Sequence, residues 1–272
     1  YHPIAFGDIT LALGFLSVTA VGWLKKWHSI GPAIPLAAFV IALAAAVLSE
    51  TRGALIAAPV LLAILYFHAG GYLKTAARVL LLGLCCAAAL AAYAVPAIDL
   101  SAKFEVISKE VADYRRGERV YTPVTTRIEG WRAALDIFAA HPIIGAGPGS
   151  FKPLLHQLVA EGRRDKIAFP HSQPHSAYLA AAADCGVMGL IAVLGLFAVP
   201  LGVSVRYMRM EGELRDLGYA LLLLVASFMQ FGLTETIFGR NINISFFVVM
   251  TAAILAAAAN RESRAELTAS SA

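Results

Sequence analysis

Runs of about 20 apolar residues, separated by short polar turns, recur along most of this chain and decide what it can fold into. Inside hydrocarbon every backbone N–H and C=O must be bonded within the protein, so runs of this kind cross a bilayer as helices. Seven candidate spans are read, at roughly 4–24, 31–49, 53–68, 77–97, 178–205, 216–236 and 241–259. The third is short. The fifth is long and interrupted by Gly186 and Gly189, so its first turns are expected to stand above the bilayer. Composition points the same way: the 272 residues are 59% hydrophobic and 15% charged, with a mean hydropathy of +0.71, whereas about a quarter of an ordinary soluble domain is charged. The expected fold is therefore all-α, a polytopic membrane helical bundle with a large helical loop. Its expected parts are transmembrane helices over 1–97, a loop domain over 98–177, further transmembrane helices over 178–260 and a polar tail over 261–272. The chain starts at Tyr1, without a basic leader or a small-residue cleavage site before Leu24, and further helices are expected ahead of it.

Basic residues in the short connections give the orientation. Lys25 and Lys26, Lys74 and Arg78, Arg206, Arg209 and Arg215, and Arg261 and Arg264 follow alternate spans and fall on one side, assigned to the cytoplasm. The other side carries Arg52, Arg240 and the long loop 98–177. Long segments cross whatever their charge, so the basic residues of that loop do not disturb the assignment. The three cysteines, Cys85, Cys86 and Cys185, form no readable disulfide framework or zinc site.

Two helices are expected in the loop. Residues 101–116 space Phe104, Ile107, Val111 and Tyr114 three and four apart, a stripe suited to rest on the membrane surface, with Gly117 as its stop. The second is read from Thr126-Arg127-Ile128-Glu129 as a capping box, with Thr126 as N-cap, and it ends at His141-Pro142. The glycine-rich stretch Gly145 to Gly149 lacks a following Lys-Ser/Thr and is read as a structural turn.

Few polar groups are placed where chemistry would need them. Arg127 falls in the first turn of its expected helix, where free N–H groups and a guanidinium together favour an anion; the alternative is a solvated loop arginine. Arg52, between the second and third spans, and Arg240 suggest a positive pocket on the outer side, although an arginine there also snorkels to lipid phosphate. His171 and His175 lie in a proline-restricted strip before the fifth span, with Tyr178 just inside it. A histidine is suited to take a proton from a hydroxyl; the plainer reading is polar surface. Asp184, a turn or two into the fifth span, needs a partner or a role. The acids are scattered, so no metal and no cofactor are expected.

These stretches resemble the O-antigen ligase and O-antigen polymerase group of bacterial inner-membrane proteins. The resemblance rests on Ser49-Glu50-Thr51-Arg52-Gly53, on Arg127-Ile128-Glu129-Gly130-Trp131 with His141-Pro142-Ile143-Ile144-Gly145-Ala146-Gly147, and on Pro174-His175-Ser176-Ala177-Tyr178-Leu179 leading into Asp184-Cys185-Gly186. Ser176 and Asp184 depart from the Asn and Glu usual in the family. The resemblance implies a multi-pass protein of the inner membrane, similar to the membrane glycosyltransferases with helical bundles (the GT-C-like group), with its active site facing the periplasm. It implies glycan transfer from a polyprenyl-diphosphate-linked O-antigen donor to a lipid A core acceptor among membrane lipids, with no nucleic-acid partner. On that reading His175 is the base, Arg52 and Arg127 stabilise the diphosphate, and Arg240, His171, Tyr178, Trp131 and Asp184 bind substrate. The alternatives are an O-antigen polymerase, a protein O-oligosaccharyltransferase of the same family, and, from another class, a transporter or flippase for an anionic lipid or solute. A transporter is expected to show internal repeats, and none is visible.

Overall fold

A computed structural model describes residues 3–27, 30–31, 33–49, 52–72, 74–75, 78–79, 100–118, 121–168 and 172–270. Ten α-helices are described: α1 Pro3–Val18, α2 Val21–Lys25, α3 Ala33–Leu48, α4 Arg52–Ala69, α5 Leu100–Arg115, α6 Pro123–Ala140, α7 Phe151–Ala160, α8 Ala177–Met208, α9 Gly212–Thr234 and α10 Asn241–Ser270. Short 3-10 turns follow at Lys166–Ala168 and Ile237–Gly239, and no strand occurs among the described residues. Among those residues, three helices are long and apolar enough to cross a membrane: Ala177–Met208, Gly212–Thr234 and Asn241–Arg264. The helices α1 and α3 are apolar but shorter, at 16 residues each, about 24 Å at 1.5 Å per residue. The span expected at 77–97 lies almost wholly outside the described residues.

The chain divides into two compact units, residues 1–75 with 194–272, and residues 76–193. In the first, α9 is the central helix. Of its most apolar window 61% is buried, against 22% for α8 and for α10, as expected of a helix that is apolar all round. It packs on α4, α1 and α10. Phe228 and Phe231 of α9 and Phe197 and Phe247 of the neighbouring helices are each 1% exposed and meet ring to ring. The helices α1 and α3 cross closely because Gly14 faces Ala42: a Cβ on Gly14 would lie 2.5 Å from that of Ala42.

One end of this bundle is a charged clasp. Glu213 takes Lys26 at 3.0 Å and also Arg261. Arg206 meets Glu262 at 2.8 Å. The buried His68 ring bonds Asp216 at 3.0 Å, Tyr72 donates to the same carboxylate, and Arg215 donates to the His68 carbonyl. Lys26, Arg206, Arg215 and Arg261 thus gather at one end, as their spacing along the sequence predicts.

In the second unit the core lies between α6, α7 and the start of α8, with Ala134, Ile137, Phe151, Leu155 and Ala183 buried together. The α6 helix begins earlier than the sequence reading has it. Its N-cap is Thr122, Pro123 opens the first turn, and the capping box pairs Thr122 with Thr125. The competing signal was Thr-Pro, since proline is favoured at the first helical position and threonine before it as the cap. Thr126 is inside the helix, its hydroxyl donating to the Thr122 carbonyl at 2.8 Å. Glu129 does not reach back to a cap. It is 3% exposed, accepts from the Tyr114 hydroxyl of α5, and lies 3.6 Å from Arg132. Tyr114, 5% exposed, is accordingly turned toward α6 and not toward a membrane surface. The C-terminal end stands as expected, with His141 as C-cap.

Candidate functional site

The site is built around a break in α8. Gly186 has φ 63° and ψ −149°, outside helical space, so the helix stops and restarts within one residue. A break of this kind deprives the amides of Val187 and Met188 of the carbonyls of Ala183 and Asp184, their normal partners four residues back. The loop after α6 gives each of these four groups a new partner. Ala146 N–H donates to the Ala183 carbonyl and Gly147 N–H to the Asp184 carbonyl, both at 2.9 Å. In return Val187 N–H donates to the Pro142 carbonyl at 2.8 Å, and Met188 N–H to that of Ile143 at 3.4 Å. Glycine is needed on both sides. A Cβ on Gly145, φ 72°, would stand 2.3 Å from Asp184 and Cys185 backbone atoms, and one on Gly186 would stand 2.5 Å from Ile143. The stretch 145–149 is therefore a structural turn, as expected, but one shaped to seat α8.

The Asp184 carboxylate, one turn above the restart, meets the backbone N–H of Gly149. Its Oδ1 is buried with no partner among the described residues. Trp131 carries a similar orphan, a buried Nε1–H. Buried polar atoms of this kind are rare unless something else satisfies them.

His175 stands at the mouth of α8 in a left-handed backbone conformation, φ 50°, among the described residues the single non-glycine case. It sits between buried Pro174 and Ser176, and is itself half-buried. Ser176 is 4% exposed and serves as the cap of α8: its hydroxyl accepts from Leu179 N–H at 3.4 Å and its carbonyl from Ala180 N–H at 2.9 Å. The Ser176 side chain is thus a helix cap. Tyr178, in the first turn of α8, is half-buried.

Arg127 and Trp131 lie one turn apart on α6. Arg127 is the fifth residue of that helix and not in its first turn, and the amides of Thr125 and Thr126 are already bonded to Thr122. Arg127 therefore does not stand beside a set of free first-turn N–H groups, as the sequence reading had it. The α6 stripe continues to Ala134, which shares a core with Leu179 and Ala183 of α8. Arg127, Trp131, His175, Tyr178 and Asp184 all belong to the second unit.

Arg52 and Arg240 belong to the first unit. Gly53 packs on Thr234 so closely that a Cβ would lie 2.5 Å from Oγ1. This contact sets the start of α4 beside the α9–α10 turn that carries Arg240. The side chain of Arg52 and the whole of His171 lie outside the described residues. Glu235 and Arg240 are the charges that act on Asp8 of α1, and both acids are 2% exposed. Asn243, 1% exposed, has neither amide atom bonded among the described residues. The sequence reading missed Asp8; the available signal was a lone carboxylate in an apolar run. Among the described residues no group of three or more His, Cys, Asp or Glu side chains is placed to hold a metal ion.

The family model described as O-antigen ligase matches residues 37–194, more than half of the chain. The matched span takes in Arg52, Arg127, Trp131, His171, His175, Tyr178 and Asp184 and leaves Arg240 outside. A protein of Haemophilus influenzae, described as uncharacterised, is 22% identical over 200 residues, which is 73% of this chain and 50% of that protein. The chain thus spans about half the length of the curated relative it matches.

Proposed function

We propose that this chain, which belongs to the O-antigen ligase family, transfers O-polysaccharide from a polyprenyl diphosphate carrier to the lipid A core, on the periplasmic face of the bacterial inner membrane. His175 accepts the proton of the acceptor hydroxyl as its oxygen attacks the anomeric carbon. The bond from that carbon to the diphosphate breaks, and the configuration inverts in a single displacement. The leaving diphosphate gains negative charge as the bond breaks, and Arg52 and Arg127 stabilise it without a divalent ion, with Arg240 as a third cation. His171 and Tyr178 orient the sugar or the base, and Trp131 and Asp184, each with a buried polar atom unpaired among the described residues, are offered to substrate hydroxyls.

The observation that carries this reading is the backbone of His175. A non-glycine residue held at φ 50° in a proline-bounded strip, inside the matched region, is strain of the kind that gathers at functional sites. The test is glycan transfer by the purified full-length protein with lipid-linked glycan, lipid A core and EDTA, wild type against His175→Ala. Transfer by the wild type and its loss in a folded variant supports a metal-independent ligase. Growth of lipid-linked chains on donor alone moves the assignment to a polymerase, and no reaction with either substrate returns it to a transporter of anionic lipids.

A further inference from the structure

Large apolar side chains are exposed at the α8 break. Ile143 is 70% exposed, Ile144 77%, Met188 60% and Ile191 59%. The backbone bonds of the break hold Ile143 and Ile144 beside Val187 and Met188, so the four side chains form one surface.

Two independent facts identify what covers that surface. First, a helix broken in water needs no protein partners for its freed amides and carbonyls, because water supplies them. Here the amides of Val187 and Met188 and the carbonyls of Ala183 and Asp184 are all paired with the 142–147 loop, as irregular backbone at hydrocarbon depth requires. Second, the stretch from Val187 to Val205 holds no charged residue and is followed by Arg206. Its length at 1.5 Å per residue is about 28 Å, close to the roughly 30 Å of a bilayer core. With Arg206 at one boundary, the break falls at the other.

We infer that Ile143, Ile144, Val187 and Met188 are sunk in the acyl chains of the bilayer, so that the loop after α6 is a re-entrant segment and Gly186 marks the outer edge of the membrane core. This assignment does not depend on which glycan is transferred or on whether one is.

Spin labels placed by Ile144→Cys and Met188→Cys, in the full chain with Cys85, Cys86 and Cys185 replaced by Ala and reconstituted in lipid nanodiscs, test it. Lys152→Cys on α7 serves as the water-exposed reference. Collisions with oxygen should dominate over those with a water-soluble nickel chelate at 144 and 188, and the reverse should hold at 152. Chelate access at 144 or 188 equal to that at 152 overturns the inference, and so does shielding from both reagents, which means protein covers the patch. Wild-type chain in nanodiscs carrying a phospholipid with a photoactivatable acyl chain gives a check free of substitutions: the adducts should fall on the peptides holding 143–144 and 187–191, and adducts confined to other spans count against it.

Discussion

Gly186 approaches Gly145 so closely that a Cβ on Gly186 would lie 2.7 Å from the Gly145 amide nitrogen. Both residues also have positive φ. Gly145→Ala and Gly186→Ala should therefore each cost on the order of 3 kcal/mol, from backbone strain and overlap together. Gly162, φ 71° with nothing within 4 Å of its would-be Cβ, meets the strain alone, and Gly162→Ala should cost about 1–2 kcal/mol. Thermal unfolding in detergent ranks the three. Equal losses would show that the contact between loop and break contributes nothing.

The left-handed backbone at His175 allows its side chain to be separated from its conformation. His175→Gly and His175→Asn both tolerate φ 50°, so both should fold like the wild type while transfer falls by about 10²–10⁴-fold, the usual worth of a general base. His175→Ala should lose activity and some stability as well. Retained transfer in the folded Gly variant would remove His175 from the chemistry.

If Arg52 and Arg127 grip a diphosphate with two-pronged geometry, lysine cannot replace them. Arg52→Lys and Arg127→Lys should each lose one charge-assisted bond, about 1.5–3 kcal/mol or roughly tenfold to a hundredfold in transfer. Full activity in both variants would leave them as point charges only.

The start of α6 offers a direct comparison. Thr122→Ala removes the capping hydroxyl and should cost about 1 kcal/mol. Thr126→Ala loses only a hydroxyl bonded to a carbonyl already engaged in the helix, and should cost less. The reverse order in urea or thermal unfolding would restore Thr126 as the cap.

At the charged end of the first unit, burial and then the bond to Asp216 raise the Tyr72 hydroxyl above its ordinary 10. A proton held more tightly in the folded state stabilises it below pH 10, and that contribution fades as pH rises through the folded value. Tyr72→Phe should thus be less stable than wild type by about 0.5–1.5 kcal/mol at neutral pH, with the gap closing only in strong alkali. Unfolding midpoints from pH 7 to 12 give the comparison.

Hydropathy alone placed the apolar helices among the described residues, three of them long enough to cross a membrane, because hydrophobicity is a local property of a run of residues. The helix end at His141-Pro142 was also legible, since proline acts on its immediate neighbours. The start of α6 was misread because Thr126 to Glu129 matches a capping pattern, while the operating cap lay four residues earlier and Glu129 was taken by Tyr114, 15 residues away. Arg127, His175, Tyr178 and Asp184 were read as candidates from their residue types and Trp131 from the family resemblance, and the five lie in one unit. The pairing of 142–147 with 183–188 was out of reach, because its partners are some forty residues apart and the glycines look like ordinary turn residues. The neighbourhood of Asp8, Glu235 and Arg240 was hidden for the same reason, its members coming from opposite ends of the chain.

The exchange of bonds at Gly186 also limits how this chain can change in length. Adding or removing a residue between Ile143 and Ala146 puts the bonds of Pro142 and Ile143 out of step with those of Ala146 and Gly147, whereas the exposed turn after α7, residues 161–163, can lengthen without disturbing any of the four. The segment over the break is thus fixed in number of residues as well as in kind.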